Sequence, residues 1–422
     1  MTARLYATAA LGLALVAGTA NAQELRFSCY QDGVECDAWA EAFAGFEAEN
    51  PGITVVVDVV PYQSILEGLP VQLAVGEGPD LARVTDFGGL AQYMLDVRPF
   101  VADPDAIEAR YGQSLAWTRV GDNAPDGIYN IVDQLTATGG FANKTLFEQA
   151  GVEMPAPGST WAEWAEAATK VRDATGVDFA MALDRTGHRF AAPAISYGAQ
   201  YFDADGQPIL VDDGFRAFAE QFVAWNEDGT MAKDVWAGAG GGAYQDAAAE
   251  FINGNLVFYY SGSWQIGRFS RDIGDAFDWT ATGAVCGPEA CTGMPGGAGL
   301  VGFKHTQHPE AVGKLLDFVA RDDVQAAVLA KTKNIPANAV LQEEGVAYAD
   351  AGEDITSALV TFASSVPDFS PIAFALQGYA NNRAIFTATP ARITQAIVGE
   401  LTLEEALARL DADVAEAVAA SR

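Results

Sequence analysis

The feature that most constrains the fold is an alternation of short apolar runs with longer amphipathic stretches at the start of the chain. Glu24–Cys29, Ile53–Val60 and Leu81–Val84 are typical of strands. Helices are predicted between them, around residues 39–46, where apolar residues recur three and four positions apart, and over 62–76. The continuous β-branched run at Ile53–Val60 predicts a buried strand. This order predicts an α/β domain with a parallel sheet and right-handed crossovers.

A second α/β region follows. Thr136–Phe141 and Phe179–Leu183 are predicted strands, and Thr160 followed by Glu163 has the spacing of a capping box that opens a helix. The chain has 422 residues, half of them hydrophobic. That length predicts two or three domains, each able to bury its own core.

Residues 1–22 have the pattern of a secretory signal peptide. Arg4 supplies the positive charge, Leu5–Val16 is an apolar run, and Ala20-Asn21-Ala22 is a small-x-small cleavage site before Gln23. The apolar run is shorter than the ~20 residues that span a bilayer as a helix. We therefore expect an exported, soluble protein of the periplasm.

Charge and motif content argue against several function classes. The chain carries 24 basic and 56 acidic residues, a net charge of −32. Nucleic-acid binding needs clustered Lys and Arg, and an acidic protein is repelled by an anionic membrane surface. No nucleophile elbow, HExxH or P-loop occurs in the sequence, and the glycines around 296–299 are not placed between a strand and a helix as a dinucleotide fingerprint requires. We expect no nucleic-acid partner, no cofactor and no catalysis.

The four cysteines form two close pairs, Cys29 with Cys36 and Cys286 with Cys291. Neither pair has CxxC spacing and the sequence has only three histidines, so no metal site is expected. In an oxidising compartment the economical interpretation is two short-loop disulfides. Four buried thiols are the alternative.

Several loop aromatics have polar neighbours where strands are predicted to end or helices to begin. Ligands of open α/β sheets bind at such ends. Sugars suit these loops, since their C–H faces stack on rings and their hydroxyls need directed donors and acceptors. The alternative is that each ring belongs to the core. The segments are Tyr30–Asp32, Thr85–Asp86, Asp126–Asn130, Ser261–Gln265 and Gln377–Tyr379.

Basic residues are scarce, yet Arg185, His188 and Arg189 lie within five positions. The functional interpretation is a pocket for a carboxylate or another anion, because Arg offers a bidentate fork. The alternative is a solvated loop with a local Asp184–Arg185 pair.

Eight short segments occur in the order known from one family. On these segments the mature chain resembles the carbohydrate-binding proteins of bacterial ABC importers, the maltodextrin-binding-like group of extracellular solute-binding proteins. The segments are Phe46–Val55, Gly76–Val84, Phe141–Gly151, Pro157–Glu163, Phe251–Phe258, Ser261–Trp264, Asn334–Pro336 and Gly399–Leu407.

The resemblance implies a two-lobed α/β periplasmic binding protein fold. Each lobe would be a mostly parallel sheet flanked by helices, with the ligand cleft between the lobes. Lobe one would hold residues 23–134 and 300–350, and lobe two residues 135–299 and 351–422.

The resemblance also implies binding residues. Asp86 matches a sugar-hydroxyl acceptor, although the basic residue expected after it is Phe87 here, which puts maltose-type specificity in doubt. Trp264 matches a stacking ring, Tyr129 an aromatic at the first crossover, and Tyr379 a ring near the C-terminus.

Tyr30 and Gln31 occupy the first strand-to-helix loop, which usually faces the ligand. The opening segment and the cluster of Arg185, His188 and Arg189 resemble members that bind acidic disaccharides such as digalacturonate.

The resemblance thus implies a monomeric periplasmic receptor. It would capture an oligosaccharide or glycoside, extending to an acidic uronate disaccharide, and deliver it to an ABC permease. A binding protein that serves a chemoreceptor and an exported carbohydrate-active enzyme are the alternatives.

Overall fold

The computed structural model describes residues 23–204, 206–238, 240, 242 and 244–420. The predicted signal peptide, residues 1–22, lies outside these residues. Within the described chain, ten strands and eighteen α-helices form two lobes around a shared mixed sheet.

The strands of the described chain are β1 (Gln23–Cys29), β2 (Ile53–Val59), β3 (Leu81–Val84), β4 (Asn130–Asn143), β5 (Phe179–Leu183), β6 (Leu256–Gly262), β7 (Trp279–Gly283), β8 (Val285–Cys286), β9 (Cys291–Thr292) and β10 (Pro295–Gly302).

The helices are α1 (Glu35–Glu49), α2 (Leu69–Ala74), α3 (Phe87–Leu90), α4 (Pro104–Leu115), α5 (Lys144–Ala150), α6 (Trp161–Thr175), α7 (Gly187–Ser196), α8 (Asp213–Glu227), α9 (Lys233–Ala237), α10 (Ala248–Ile252), α11 (Gln265–Asp272), α12 (Pro309–Val319), α13 (Asp322–Thr332), α14 (Ala339–Glu344), α15 (Glu353–Ser365), α16 (Pro371–Gly378), α17 (Asn382–Ile397) and α18 (Leu403–Ala420).

The main sheet has the strand order β2-β1-β3-β10-β4-β6-β5, and β7 also pairs with β4. The pairs β1–β2, β1–β3 and β5–β6 are parallel. The pairs that involve β4 or β10 are antiparallel. The sheet is therefore mixed: the strands of each lobe run parallel as expected, β1 with β2 and β3 in lobe one and β5 with β6 in lobe two, and the antiparallel pairs lie between them. The reason is that β4 and β10 are the strands that pass between the lobes, and they run against their neighbours.

Strand β4 is the longest connection between the lobes. Its first half pairs with β10, and its second half, from Thr138 onward, pairs with β6 and β7. A third segment joins them where the Leu135 N–H donates to the Ile335 carbonyl at 2.9 Å. Three chain segments thus cross between the lobes at one place, which is the arrangement of a hinge.

The hydrophobic core divides in the same way. Lobe one has two clusters drawn from residues 25–132 and 298–337. Lobe two has one large cluster drawn from 137–294 and 355–418, together with Ile335. The residue limits of the two lobes that were derived from the sequence remain a prediction.

Two local predictions had different outcomes. The capping box is confirmed: the Glu163 N–H donates to Thr160 Oγ1, and the Thr160 N–H donates to Glu163 Oε2 at 2.7 Å. The prediction that the run at 53–60 is a buried strand is wrong. Strand β2 lies at the edge of the sheet, and Val56 and Val59 are exposed. β-Branched residues favour a strand whether it lies at the edge or in the middle of a sheet, so a run of them does not predict burial.

Both predicted disulfides are present, Cys29–Cys36 and Cys286–Cys291. The first closes the loop between β1 and α1, and the second joins β8 to β9. Among the described residues no single helix is long and apolar enough to cross a membrane; one pair, Glu353–Asp368 with Pro371–Gly378, passes that test together but is bent by 93°.

Candidate functional site

A cavity of about 770 Å³, partly open to solvent, lies between the lobes, and we call it the central cavity. Its walls come from the ends of β1 and β3 in lobe one, from β4 and β10 at the crossing, and from α7, α16, α17 and the turn after β6 in lobe two. This is the end of the sheet at which open α/β folds bind ligands. The lining residues are Tyr30, Asp32, Tyr62, Leu66, Thr85, Asp86, Gln134, Thr136, Thr186, His188, Arg189, Tyr244, Trp264, Gly296, Gly297, Gln377, Asn382, Arg383 and Phe386.

The lobe-one wall rests on a buried ion pair. The Arg83 Nε donates to Asp133 Oδ2 at 2.8 Å, and Trp39 Nε1 donates to the same oxygen at 3.0 Å. The Arg83 guanidinium lies 4.5 Å from the centre of the Tyr30 ring, which in turn packs on Tyr62 at 4.7 Å. The cation of Arg83 is therefore neutralised and covered, and it serves as a support for the ring above it.

Two carboxyl groups reach the cavity from lobe one. Burial raises the pKa of Asp32, and the nearby Glu35 carboxylate raises it further. Asp86 is the N-cap of α3, where its Oδ1 accepts from the Gly89 N–H at 3.1 Å. Burial raises the pKa of Asp86 as well, while Arg383 across the cleft opposes that increase. Both groups face a space in which a hydrogen-bond donor would stabilise their charged form.

The lobe-two wall presents a stacked pair. The Arg189 guanidinium lies 4.1 Å from the centre of the Trp264 ring and 5.7 Å from that of Tyr244. Its Nε is 3.8 Å from Asp184 Oδ2, too far for a hydrogen bond. Asp184 instead accepts from the Tyr259 hydroxyl at 2.5 Å and from the Ser261 hydroxyl at 2.6 Å. Arg189 is therefore held by a ring while part of its donor capacity stays unused.

His188 is neutral in this environment. Burial and the adjacent Arg189 lower the pKa of His188 to about 3. The position of both residues follows from the start of α7: a Cβ at Gly187 would lie 2.5 Å from the Cα of Phe386, so only glycine lets α7 approach α17 this closely. Because its pKa is lowered, His188 acts at neutral pH as an uncharged hydrogen-bonding group.

The lobes touch each other across the cleft. The rings of Tyr62 from lobe one and Tyr244 from lobe two meet edge to face at 5.4 Å. Arg271 Nη1 of lobe two also donates to the Gly33 carbonyl of lobe one at 2.8 Å. The structure is thus a closed arrangement in which both lobes reach whatever occupies the central cavity.

Four buried polar atoms of the lining have no hydrogen-bond partner in the structure: Gln134 Oε1, Gln377 Oε1, Arg189 Nε and Trp264 Nε1. Leaving such an atom unpaired costs about 1–3 kcal/mol. Two of them are acceptors and two are donors, so a ligand that both donates and accepts would satisfy them together. Among the described residues no group of three or more His, Cys, Asp or Glu side chains is arranged to hold a metal ion.

The family model described as bacterial extracellular solute-binding protein matches residues 33–326, more than half of the chain. The chain belongs to this family. The family and the two-lobed fold expected from the sequence are therefore confirmed.

Relatives cover most of this solute-binding protein. A binding protein of Brucella abortus is 24% identical over 382 residues, which are 86% of this chain and 87% of the relative. An arabinooligosaccharide-binding protein of Bacillus subtilis is 25% identical over 317 residues, 71% of this chain and 70% of the relative. An ABC substrate-binding protein of Listeria monocytogenes, solved in complex with cycloalternan, has a TM-score of 0.78 at 19% identity and covers 94% of this chain and 99% of its own. The last likeness shows the fold.

The structure brings five of the nine binding residues predicted for this solute-binding protein into the central cavity: Tyr30, Asp86, His188, Arg189 and Trp264. Trp264 is only 5% exposed, and Arg189 covers one face of its indole. A ligand can therefore stack only on the opposite face of the Trp264 indole or contact its edge.

The other four predicted residues lie outside the central cavity. Gln31 is exposed, and its Oε1 accepts from the Cys36 N–H at 3.3 Å. Tyr129 is in the lobe-one core, where its hydroxyl accepts from the Ala124 N–H at 2.8 Å. Tyr379 packs against Phe202 at 5.3 Å. No pattern in the sequence indicates these local partners.

Arg185 lines a neighbouring recess. The alternative of a solvated loop with an Asp184–Arg185 pair is not what the structure contains. Asp184 is 0% and Arg185 3% exposed, and Asp184 is bonded to Tyr259 and Ser261.

Sequence reasoning missed several residues of the lining, notably Asp32, Tyr62, Gln134, Tyr244 and Arg383. Asp32 follows Gln31 in the segment Tyr30–Asp32, which the sequence analysis had singled out. Successive side chains of an extended segment point in opposite directions, and this alternation could have indicated Asp32 in place of Gln31. Tyr62 opens the stretch that is predicted to be a helix, and Tyr244 lies in no segment that was singled out. Only the approach of the lobes brings the two rings together.

Proposed function

We propose that this protein is the periplasmic substrate-binding component of an ABC importer and that it captures a carbohydrate in the central cavity. The ligand class includes neutral oligosaccharides and glycosides as well as an acidic disaccharide, since all of them present rows of hydroxyl groups. The arabinooligosaccharide-binding relative and the cycloalternan complex of the structural relative support a sugar.

The observation that carries the proposal is the mixture of unpaired buried donors and acceptors in the central cavity. Gln134 and Gln377 offer acceptor oxygens, and Arg189 and Trp264 offer N–H donors. A sugar hydroxyl donates one hydrogen bond and accepts others, so neighbouring hydroxyls match such a set better than a purely cationic or apolar ligand does.

Rings supply the second half of the recognition. Tyr62 and Tyr244 come from opposite lobes and line the cavity beside Trp264. The C–H faces of a sugar pack on such rings, because an aromatic side chain such as Tyr offers an apolar ring face together with a polar edge. In this proposal Trp264 acts mainly by holding the Arg189 guanidinium in place, and the parts of the Tyr62 and Tyr244 rings that line the cavity provide the apolar surface.

Binding is coupled to closure. A ligand shifts the equilibrium between an open and a closed form only by binding the closed form more tightly. Asp32 and Asp86 from lobe one and Arg189 and Gln377 from lobe two line one space between the lobes. Contact with both lobes thus supplies the difference in affinity, and the closed form is presented to the permease.

The remaining parts of the proposal concern compartment, partners and chemistry. We expect the mature chain to begin at Gln23, to be a monomer in the periplasm, and to meet the transmembrane subunits of the importer. We expect the sugar to leave unchanged, because the relatives are described as binding proteins.

A thermal-shift screen of the mature chain tests the ligand class. A sugar at 100 times its dissociation constant adds about 2.7 kcal/mol of stability, which is readily measured as a higher melting temperature. Amino acids and peptides serve as controls. A shift with these and with no sugar would contradict the proposal, and chromatographic detection of sugar turnover would favour an enzyme.

The screen does not separate an importer from a binding protein that serves a chemoreceptor. Deletion of the gene in its host does. Loss of uptake of the identified sugar with normal chemotaxis is the result that we expect.

A further inference from the structure

A second recess adjoins the central cavity, and we call it the outer recess. It has a volume of about 1010 Å³, part of it open to solvent, and it shares Leu66, Asp86 and Arg383 with the central cavity. Arg185 lines the outer recess from lobe two, and Glu67 lines it from lobe one. A ligand longer than one ring that fills the central cavity would extend into this recess.

Arg185 is the unusual group in the outer recess. It is 3% exposed, and among the salt bridges of the described residues none involves it. Its Nε donates to Thr394 Oγ1 at 3.2 Å, while its Nη1 is buried and has no hydrogen-bond partner. Burial lowers the pKa of Arg185, with no carboxylate raising it again.

A buried cation without a counter-charge is costly, because desolvation is not repaid by an ion pair. The chain has 56 acidic residues to neutralise 24 basic ones, so a partner for Arg185 was readily available. Arg83, the other arginine that is at least nine-tenths buried in the described chain, has Asp133 at 2.8 Å. The difference indicates that the counter-charge of Arg185 arrives with a ligand.

Two acidic groups also face the outer recess, and neither is a partner of Arg185. Asp86 accepts from the Gly89 N–H, and the positive charge of Arg383 acts to lower its pKa. Glu67 is exposed and accepts from Gln63 Nε2 at 3.0 Å. Arg383 adds a second cation to the lining, so the interior of the recess, beside Arg185, remains the place for an incoming anion.

We propose that the outer recess is a carboxylate subsite and that Arg185 binds the carboxylate of a uronic acid residue whose neighbouring sugar ring occupies the central cavity. The inference rests on the proposed function, since the sugar ring is assigned to the central cavity. A carboxylate suits the site because a guanidinium binds its two oxygens with two parallel N–H donors.

Calorimetry on the mature chain tests the subsite with matched pairs of probes. Each pair is a hexuronate disaccharide and the neutral hexose disaccharide of the same linkage, with galacturonate and glucuronate as the acids. We expect one acid to bind at least tenfold more tightly than its neutral partner. Succinate, which has carboxylates but no sugar ring, tests whether the carboxylate alone is recognised, and we expect no measurable binding.

Two substitutions locate the effect. Arg185→Gln should lower the affinity for the acid to that for the neutral sugar and leave the neutral sugar unaffected. Arg172→Gln removes the same charge from the lobe-two surface, where Arg172 contacts Asp173 and the Gly229 carbonyl, and should change neither. Loss of both affinities in Arg185→Gln would overturn the proposal, as would acids that bind no better than neutral sugars or succinate that binds as well as the acid.

A stability measurement distinguishes a binding residue from a structural one. Removing an unpaired buried charge should raise the melting temperature of the ligand-free Arg185→Met variant by about 2–4 °C. A lower melting temperature would mean that Arg185 holds the fold, which contradicts the proposal. If neutral sugars bind and acidic sugars do not, the carboxylate subsite is contradicted and the proposed function stands. If no sugar binds, both the subsite and the proposed function are contradicted.

Discussion

The two buried arginines of the cleft differ in one respect. Arg83 in lobe one has Asp133 at 2.8 Å and the Tyr30 ring against it. Arg185 in lobe two has a hydroxyl partner and no carboxylate. Burial is equal within a few per cent, so burial alone does not distinguish a structural cation from one that awaits a ligand. The presence of a counter-charge does.

The same contrast extends to the walls around them. Lobe one stabilises its wall internally through an ion pair, stacked rings and the Cys29–Cys36 disulfide. Both walls keep unpaired buried atoms, namely Arg83 Nη2 and Asp133 Oδ1 in lobe one and donors of Arg185 and Arg189 in lobe two. The difference lies in their position, because Arg189 lines the central cavity and Arg185 the outer recess, whereas neither Arg83 nor Asp133 lines either space.

The largest expected effect is that of Arg83→Met. It leaves the Asp133 carboxylate buried without its partner, and breaking a buried ion pair in this way costs about 3–5 kcal/mol. Urea denaturation measures the free energy of unfolding, with Arg185→Met as the counterpart in lobe two. Equal destabilisation by both substitutions would break the comparison between the two arginines.

The disulfides provide the next test. Cys29–Cys36 and Cys286–Cys291 close loops of similar length, with separations of 7 and 5 residues, so removing either by double Ser substitution should cost about 2–3 kcal/mol. Only the first brackets Tyr30 and Asp32. We therefore expect weaker sugar binding for the Cys29/Cys36 variant alone, measured by calorimetry below both melting transitions. Equal affinity in both variants would argue against a preorganised lobe-one platform.

The pH dependence of stability sharpens the picture of lobe two. Burial raises the pKa of Asp184 to about 7, so the folded protein keeps a proton that the unfolded chain releases near pH 4. Stability from this residue therefore falls as pH rises from about 4 to 7, by about 2 kcal/mol between pH 5 and 8.

Asp184→Asn should flatten that slope in denaturation experiments at several pH values. Asp173→Asn, which changes an exposed carboxylate of the same lobe, should keep it. A steep slope that survives in Asp184→Asn would assign the proton to another group.

The smallest expected effect is on affinity. Arg189→Gln removes a donor that faces the central cavity but is already supported by Trp264, and a tenfold loss of sugar affinity corresponds to about 1.4 kcal/mol. Calorimetry with Arg172→Gln as the charge-matched control measures it. Unchanged affinity would mean that Arg189 serves only to pack against the indole.

Local features of the fold were predictable from the sequence. The capping box at Thr160 and Glu163 and both disulfides depend on residues that are close in the chain, and they were found. The strand Leu81–Val84 was predicted with its observed limits. Strand β4 was predicted over six residues and has fourteen, because its extension is stabilised by pairing with β10, β6 and β7.

The candidate site was predictable in part. Loops at strand ends pointed to Tyr30, Asp86 and Trp264, since the carboxyl ends of strands meet at one edge of a sheet, and the cluster of scarce basic residues pointed to His188 and Arg189. Tyr129 and Tyr379 have similar local surroundings in the sequence, yet core contacts hold them elsewhere.

The sequence by itself determined the alternation of strands and helices, the helix caps, the short disulfide loops and the supply of rings and polar groups at strand ends. Only the tertiary structure decided which groups find partners. Arg83 meets Asp133 fifty positions away and Arg189 lies on Trp264, while Arg185 finds no carboxylate. Pairing of this kind depends on how lobes pack and close, because Coulomb and hydrogen-bond energies are set by distance and burial in space.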